Sequence, residues 1–321
     1  DVLEFLDSVS LEDALYYRHC QRTVTVPFEC KDQWHDAFLL PLHVWDTGLH
    51  AQSFKLHVML LRMLAAPVTT ESVGKPLQVV KVMKSRLSRF FDGEFAQLWE
   101  EANADLPAKH PIQFSPAELE YKREARATHF AMAGQYRDAN QKLTGAGLLP
   151  YNQDVLEQFD ELFEHRPSPD PDPLPDDLDE EGSAKWQFEL GTVWVSGLHG
   201  QQMEVPVLPY VVDHLPRYKA SDLTGSRYEH YMHMPYSLVR EYVVAALNNQ
   251  LGGDIAKAWR SGIVYAGDKD KKDSKGRQAA RPIVVGMSLR RIAGRVPCIQ
   301  MRSQFAEFFA AYRQLGIAVP G

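Results

Sequence analysis

A mixed α+β fold, predominantly α-helical, is what this sequence predicts, and three observations carry that expectation. Apolar residues recur at helical spacing through most of positions 1–164 and again over 235–251. One region, 261–296, sets two β-branched runs on either side of a polar, glycine-containing loop, the pattern of a β-hairpin. Between these parts, 165–182 reads RPSPDPDPLPDDLDEEG after His165; its five prolines and seven acids leave too little apolar surface to fold. That segment divides the chain into a helical region (1–164), an extended acidic linker (165–182) and a C-terminal region (183–321).

The 321 residues are 45% hydrophobic and 24% charged, which excludes wholesale disorder and leaves room for two domains. Apolar runs such as Phe38-Leu39-Leu40 and Val58-Met59-Leu60-Leu61 are interrupted too soon by Pro, His or Arg to cross a bilayer. No secretory signal opens the chain, and Asp1 in place of Met implies a piece of something longer. Cys20, Cys30 and Cys298 are odd in number and unevenly spaced, so no disulfide framework is expected, and an intracellular, nuclear or cytoplasmic setting follows.

From the N-terminus, Val2, Phe5 and Leu6, then Leu11, Leu15 and Tyr16, keep a helical period broken around Ser8 and Ser10, with Ser10 and Asp13 reading as a capped start. Thr23-Val24-Thr25-Val26 is β-branched and predicts a short edge strand. His19, Cys20, Cys30, His35 and His43 surround it, but their gaps match no structural-zinc spacing. Dense apolar residues over 53–64 predict a helix buried on most of its surface. The seven-residue recurrence of His43, His50 and His57 is accidental, because Gly48 interrupts the helix that would align them.

An amphipathic basic helix is expected over 77–91, broken at Gly93 and followed by a second helix through Phe95, Leu98 and Trp99. Helices are expected again over 117–143 and 154–163. Val193-Trp194-Val195 and Val205-Pro206-Val207-Leu208 are compatible with strands or with the start of a helix. Leu238, Tyr242, Ala245, Ala246 and Leu247 share one face of a helix that Gly252-Gly253 should stop. Glu229-His230 and His233 suggest a metal site, but His230 and His233 are expected instead to be solvated on a surface helix.

The charge is concentrated in one place. Residues 257–302 hold twelve Lys and Arg against three Asp, in a chain of formal net charge −7. Such clustering is the footprint of a polyanion partner, nucleic acid or nucleotide phosphate, against the ordinary alternative of a solvated lysine-rich turn. Ile263-Val264-Tyr265-Ala266 and Ile283-Val284-Val285 form the expected strands. From Met287 the period changes to that of a helix with Arg290, Arg291 and Arg295 on a basic face.

Arg281-Pro282-Ile283, preceded by the lysine-rich loop and followed by Leu289-Arg290-Arg291-Ile292, resembles the fingers hairpin of reverse transcriptases, particularly those of non-LTR retroelements. LPRYKASDLTGSRYEH (215–230) resembles the segment before the fingers, and Gln314-Leu315-Gly316 the stretch leading into the palm. The helices of the first region more weakly resemble the linker that precedes the polymerase. The resemblance implies the fingers part, a β-hairpin plus helices, of a right-hand RNA-directed DNA polymerase, with RNA template, DNA primer and deoxynucleotides as partners. It implies nucleotide contacts by Arg281 and by Lys269, Lys271 or Lys272. Lys275, Arg277, Arg290, Arg291 and Arg295 are the remaining expected nucleic-acid contacts.

In that family Mg²⁺ is held by palm carboxylates, which the motifs here do not include; Asp176-Asp177 lies in the proline-rich segment. Mg²⁺ is therefore expected only in a complete polymerase, and no catalytic or metal residue is assigned to this chain. Asp222 and Glu229 match the upstream segment, but the glycine expected after the Asp is displaced to Gly225. Two further readings stand beside this one: a decayed or repurposed nucleic-acid-binding module, and a helical scaffold whose basic loop meets an acidic protein.

Overall fold

The computed structural model describes residues 2–67, 76–105, 115–132, 136, 140, 148–149, 152–163, 187–196, 201–217 and 219–310. The expected acidic linker, the Gln314–Gly316 motif and most of 133–147 lie outside the described residues. Two units interleave along the chain: the first takes Asp1–Asp105, Asp177–Ile263 and Val285–Gly321, the second Leu106–Asp176 and Val264–Val284.

The first unit opens with α1 (Val2–Ser8) and α2 (Leu11–Leu15), the latter capped by Ser10, whose Oγ accepts the Asp13 N–H at 3.0 Å. Then follow α3 (Lys31–Ala37), α4 (Leu39–Asp46), α5 (His50–Ala65), α6 (Pro76–Phe91) and α7 (Phe95–Asn103). Gly48, at φ +83°, separates α4 from α5, so His43 and His50 belong to different helices. Residues 23–26 do not form the expected strand. The Val24 N–H instead donates to the Ala65 carbonyl at the end of α5, and the Thr23 hydroxyl donates to the Gly225 carbonyl at 2.7 Å.

α5 is buried almost all round, and two of its buried polar residues, Ser53 and Arg62, reach partners on neighbouring segments. The Ser53 hydroxyl donates to the Pro41 carbonyl at 2.7 Å and lies 2.8 Å from the Tyr242 hydroxyl. Arg62 places its guanidinium over the rings of Tyr17 and Trp99, at 4.6 and 4.4 Å, and donates to Asn103 Oδ1 and the Asp13 carbonyl.

In the second unit lie α8 (Pro116–Met132) and α9 (Gln153–Phe163). The chain re-enters the first unit with β1 (Thr192–Ser196) and β2 (Gln202–Pro206), an antiparallel pair in which Trp194 faces Glu204 and Val193 faces Val205. The sequence left strand and helix open here, and both occur: α10 (Val207–Asp213) starts directly after β2.

α11 (Tyr228–Tyr231) comes next. Its His230 is buried, a correction to the expected solvated ring: the Nε2 lies 2.8 Å from the Val24 carbonyl and the Nδ1 accepts the Arg227 N–H, and Glu229 beside it is buried too. α12 (Tyr236–Leu247) ends before Gly252-Gly253, with Asn249 in the left-handed region (φ 55°). The Gln250 N–H bonds the Ala245 carbonyl and the Asn249 N–H the Ala246 carbonyl, the paired bonds of a Schellman end. The Asn248 side chain is taken up by the Phe188 backbone in both directions. Gly252 instead precedes α13 (Gly253–Arg260).

β3 (Gly262–Lys272) and β4 (Gln278–Gly286) form the hairpin, both longer than the β-branched runs alone predict. α14 (Ser288–Gln300) and α15 (Arg302–Ala310) complete the first unit.

Candidate nucleic-acid interface

The hairpin turn is built around Asp273. Its Oδ1 accepts the backbone N–H groups of Lys275 and Arg277, each at 2.9 Å, and its own N–H donates to the Arg277 carbonyl at 2.8 Å. Because the reversal needs only these few residues, the charged positions from Lys269 to Lys272 extend β3 instead of looping out.

α9 organises the hairpin within the second unit. Val155 and Phe159 pack with Ala266 and Ala280 into a small apolar cluster, with Leu149 and Val264 against it. Gln158 forks onto β4: its Oε1 accepts the Ala280 N–H at 2.9 Å and its Nε2 donates to the Gln278 carbonyl at 3.1 Å. On β3 the Leu149 N–H donates to the Ala266 carbonyl at 2.8 Å. A two-stranded ribbon is marginal alone, and these contacts supply the packing and edge bonds it lacks.

The same helix divides the cations into two groups. The Lys275 Nζ lies 2.5 Å from Glu161, while the Arg277 guanidinium reaches Asp273 at 2.9 Å, Glu157 at 3.2 Å and Glu161 at 3.3 Å. The bond from Lys275 lowers the Glu161 pKa, and the bond to Asp273 raises that of Arg277. Burial pushes the Asp273 carboxyl up, but the bonds from Arg277 and Lys275 outweigh it and leave it below its ordinary value. A phosphate reaching Lys275 or Arg277 would have to displace carboxylates.

Lys269, Lys271 and Lys272 are exposed, and among the described residues no ion pair engages them. Arg281 is exposed as well, its Nη2 donating to the Asp268 carbonyl at 3.3 Å. A Cβ at Gly267 would stand 2.6 Å from Ile283 Cδ1 and 3.0 Å from Arg281 Cγ, so the missing side chain is what lets Arg281 lie against β3.

The α14 arginines belong to the first unit. Arg290 is exposed and donates to the Arg260 carbonyl at 3.1 Å. Arg291 donates to the Ser288 hydroxyl at 2.9 Å and sits 4.6 Å over the Tyr228 ring. Arg295 is half-buried.

The start of α14 is fixed by Asp222, which is fully buried. Its Oδ2 accepts the Ser288 N–H at 2.5 Å, and its Oδ1 accepts from the Thr224 hydroxyl (2.7 Å) and the Thr224 and Ser226 N–H groups (3.0 and 3.2 Å). Burial raises the Asp222 pKa against the opposing pull of these bonds. The displaced glycine has a local reason: Gly225 has φ +84°, and a Cβ there would meet Thr23 Cγ2 at 2.6 Å and Tyr17 Cδ1 at 2.8 Å.

Sequence reasoning missed Glu157, Gln158 and Glu161. Their i, i+4 acids on an amphipathic helix were visible, but the hairpin they serve lies more than a hundred positions away. Among the described residues no three His, Cys, Asp or Glu side chains converge as a metal site. No described helix is long and apolar enough to cross a membrane. No family model, curated protein or solved structure matches the chain.

Proposed function

We propose that this chain binds nucleic acid as the fingers part of an RNA-directed DNA polymerase, meeting template backbone and nucleotide phosphates through the β3–β4 hairpin. One observation carries the reading: Lys269, Lys271 and Lys272 stand exposed, with no ion pair among the described residues, beside exposed Arg281, while α9 restrains the hairpin behind them. Clustered exposed cations in a chain of net charge −7 are a local feature that suits a polyanion. The order supports the family reading, with a basic hairpin carrying Arg281-Pro282-Ile283 followed directly by the arginine-bearing α14.

In this reading the lysines neutralise backbone phosphates and read no sequence. Arg281 grips phosphate oxygens with the planar fork of its guanidinium, a geometry Lys does not reproduce. Pro282 biases Arg281 toward extended backbone, which keeps it in the strand.

The test is a titration of the chain with an RNA–DNA primer–template, single-stranded RNA and duplex DNA at several salt concentrations. Binding should show little sequence preference, and replacing Lys269, Lys271 and Lys272 with Gln should flatten the log–log salt slope by roughly 0.7 to 0.9 for each phosphate no longer neutralised. Unchanged affinity and slope would remove the hairpin from the binding surface. Binding of polyglutamate but not of nucleic acid would favour the acidic-protein reading instead. The aromatic-x-Asp-Asp motif that bears palm carboxylates in reverse transcriptases does not occur in this sequence, so the chain with Mg²⁺ should not extend a primer; incorporation of deoxynucleotides would overturn the assignment to fingers alone.

A further inference from the structure

β1 and β2 divide their side chains between two environments. Val193, Val195 and Val205 pack against the core, while the cross-strand pair Trp194 and Glu204 stands on the outer face. Trp194 is 68% exposed. An indole left in water on a short ribbon gives up the burial that usually justifies its size, which marks it as a contact residue.

α10 continues the wall beside it. Trp194, Pro206, Pro209, Tyr210, Asp213 and His214 border a groove of about 620 Å³, within the range of ligand-binding clefts. The Tyr210 and His214 rings stack with centroids 4.2 Å apart, and His214 Nδ1 lies 2.8 Å from the Tyr210 carbonyl. That bond holds the pair as a fixed surface, so little ordering entropy is lost when something lies on it.

Two carboxylates set the charge. Asp213 accepts the Tyr236 hydroxyl at 2.7 Å and Glu204 accepts the Thr192 hydroxyl, both neutral donors. Among the described residues neither acid takes part in an ion pair. A phosphate backbone would be repelled here, whereas a cation would be drawn in.

Aromatic and proline walls with an acidic rim match one recognition mode. Flat pyrrolidine rings of a polyproline II segment pack against aromatic faces, and that helix is largely preformed before binding. We infer that this groove docks an extended, proline-rich segment of a protein partner that carries Arg or Lys beside its prolines, the cation pairing with Asp213. The chain's own proline-rich stretch sets a single Arg166 against seven acids, so its net charge is the wrong sign for this groove. The inference is independent of the hairpin and of the function proposed for it.

The experiment uses the full chain and a synthetic polyproline peptide of about ten residues ending in an arginine pair. The comparison probes are the same peptide ending in glutamates, a glycine-for-proline version, and oligothymidylate. The arginine peptide should bind in the micromolar range and quench tryptophan fluorescence. Trp194→Ala should weaken it by about tenfold or more with circular dichroism and Tm unchanged, since the side chain is exposed. Asp213→Asn should weaken binding and flatten its dependence on salt. Equal binding of the glutamate peptide, full affinity in Trp194→Ala, or no binding of the arginine peptide would each overturn the proposal. Oligothymidylate binding that Trp194→Ala abolishes would overturn it in favour of a base-stacking platform.

Discussion

Asp222 links two segments sixty-six positions apart through a single buried carboxylate, satisfying one loop and the first N–H of α14 at the same time. Asp222→Asn keeps the size but turns one acceptor oxygen into a donor, which then faces a backbone N–H. An unsatisfied buried donor pair costs about 1–3 kcal/mol, so the substitution should lower the urea midpoint and loosen the start of α14; unchanged stability would show that the bonds to Ser288 and Thr224 contribute nothing net. Gly225→Ala is expected to destabilise by a similar amount, about 1–3 kcal/mol, because the left-handed backbone and the contacts with Thr23 and Tyr17 both oppose a side chain. At Arg281 the expectation is reversed. Arg281→Ala should weaken nucleic-acid binding while Tm moves little, since the side chain is exposed and its one described bond is a long one.

At the scale of elements, α9 and the hairpin are one cooperative piece. Gln158 forks the β4 backbone, the acids hold the turn cations, and Val155 and Phe159 supply the apolar contact. Gln158→Ala should therefore speed exchange of the Ala280 amide, whose partner is the Gln158 side chain, and leave amides of α5 unaffected. Protection retained at Ala280 would mean that the fork is not formed in solution. Lys275→Gln and Arg277→Gln should loosen the turn more than they reduce nucleic-acid affinity, the opposite of the effect at Lys269, Lys271 and Lys272. That contrast separates the restrained cations from the exposed ones in a single set of titrations.

At the scale of the whole molecule, two buried histidines tie stability to pH. Burial lowers the pKa of His57 to about 3, with the His230 charge adding to it, and lowers His230 to about 4 against the opposing bond to the Val24 carbonyl. In the unfolded chain both return to about 6.5, so between that value and their folded pKa values the unfolded state binds protons that the folded state refuses. Stability is thus complete above about pH 6.5 and falls as pH drops, by about 1.4 kcal/mol per pH unit for each histidine. Asp222, whose folded pKa is raised, offsets part of the loss at the acid end by taking up a proton more readily in the folded state. Urea midpoints should therefore fall between pH 7 and pH 5, and His57→Phe should flatten the fall. A midpoint unchanged over that range would show that water reaches both rings.

Whatever depends on neighbours along the chain is legible in the residues themselves. The helical period of α5, α6 and α12, the Ser10 cap, the break at Gly48 and the existence of the hairpin all follow from spacing, propensity and backbone chemistry within a few residues. The concentration of cations between 257 and 302 was equally legible, because charge is a property of composition. The tertiary structure alone decided which of those cations are restrained and which stand exposed, since the acids that hold Lys275 and Arg277 come from α9. It also decided that 23–26 is not a strand, that His230 lies in the core and that α12 stops before Asn249, because each outcome turns on a hydrogen-bond partner distant in sequence or on a side chain drawn away by one. A local pattern states what a segment prefers; burial and the obligation to satisfy every buried polar group state what it does.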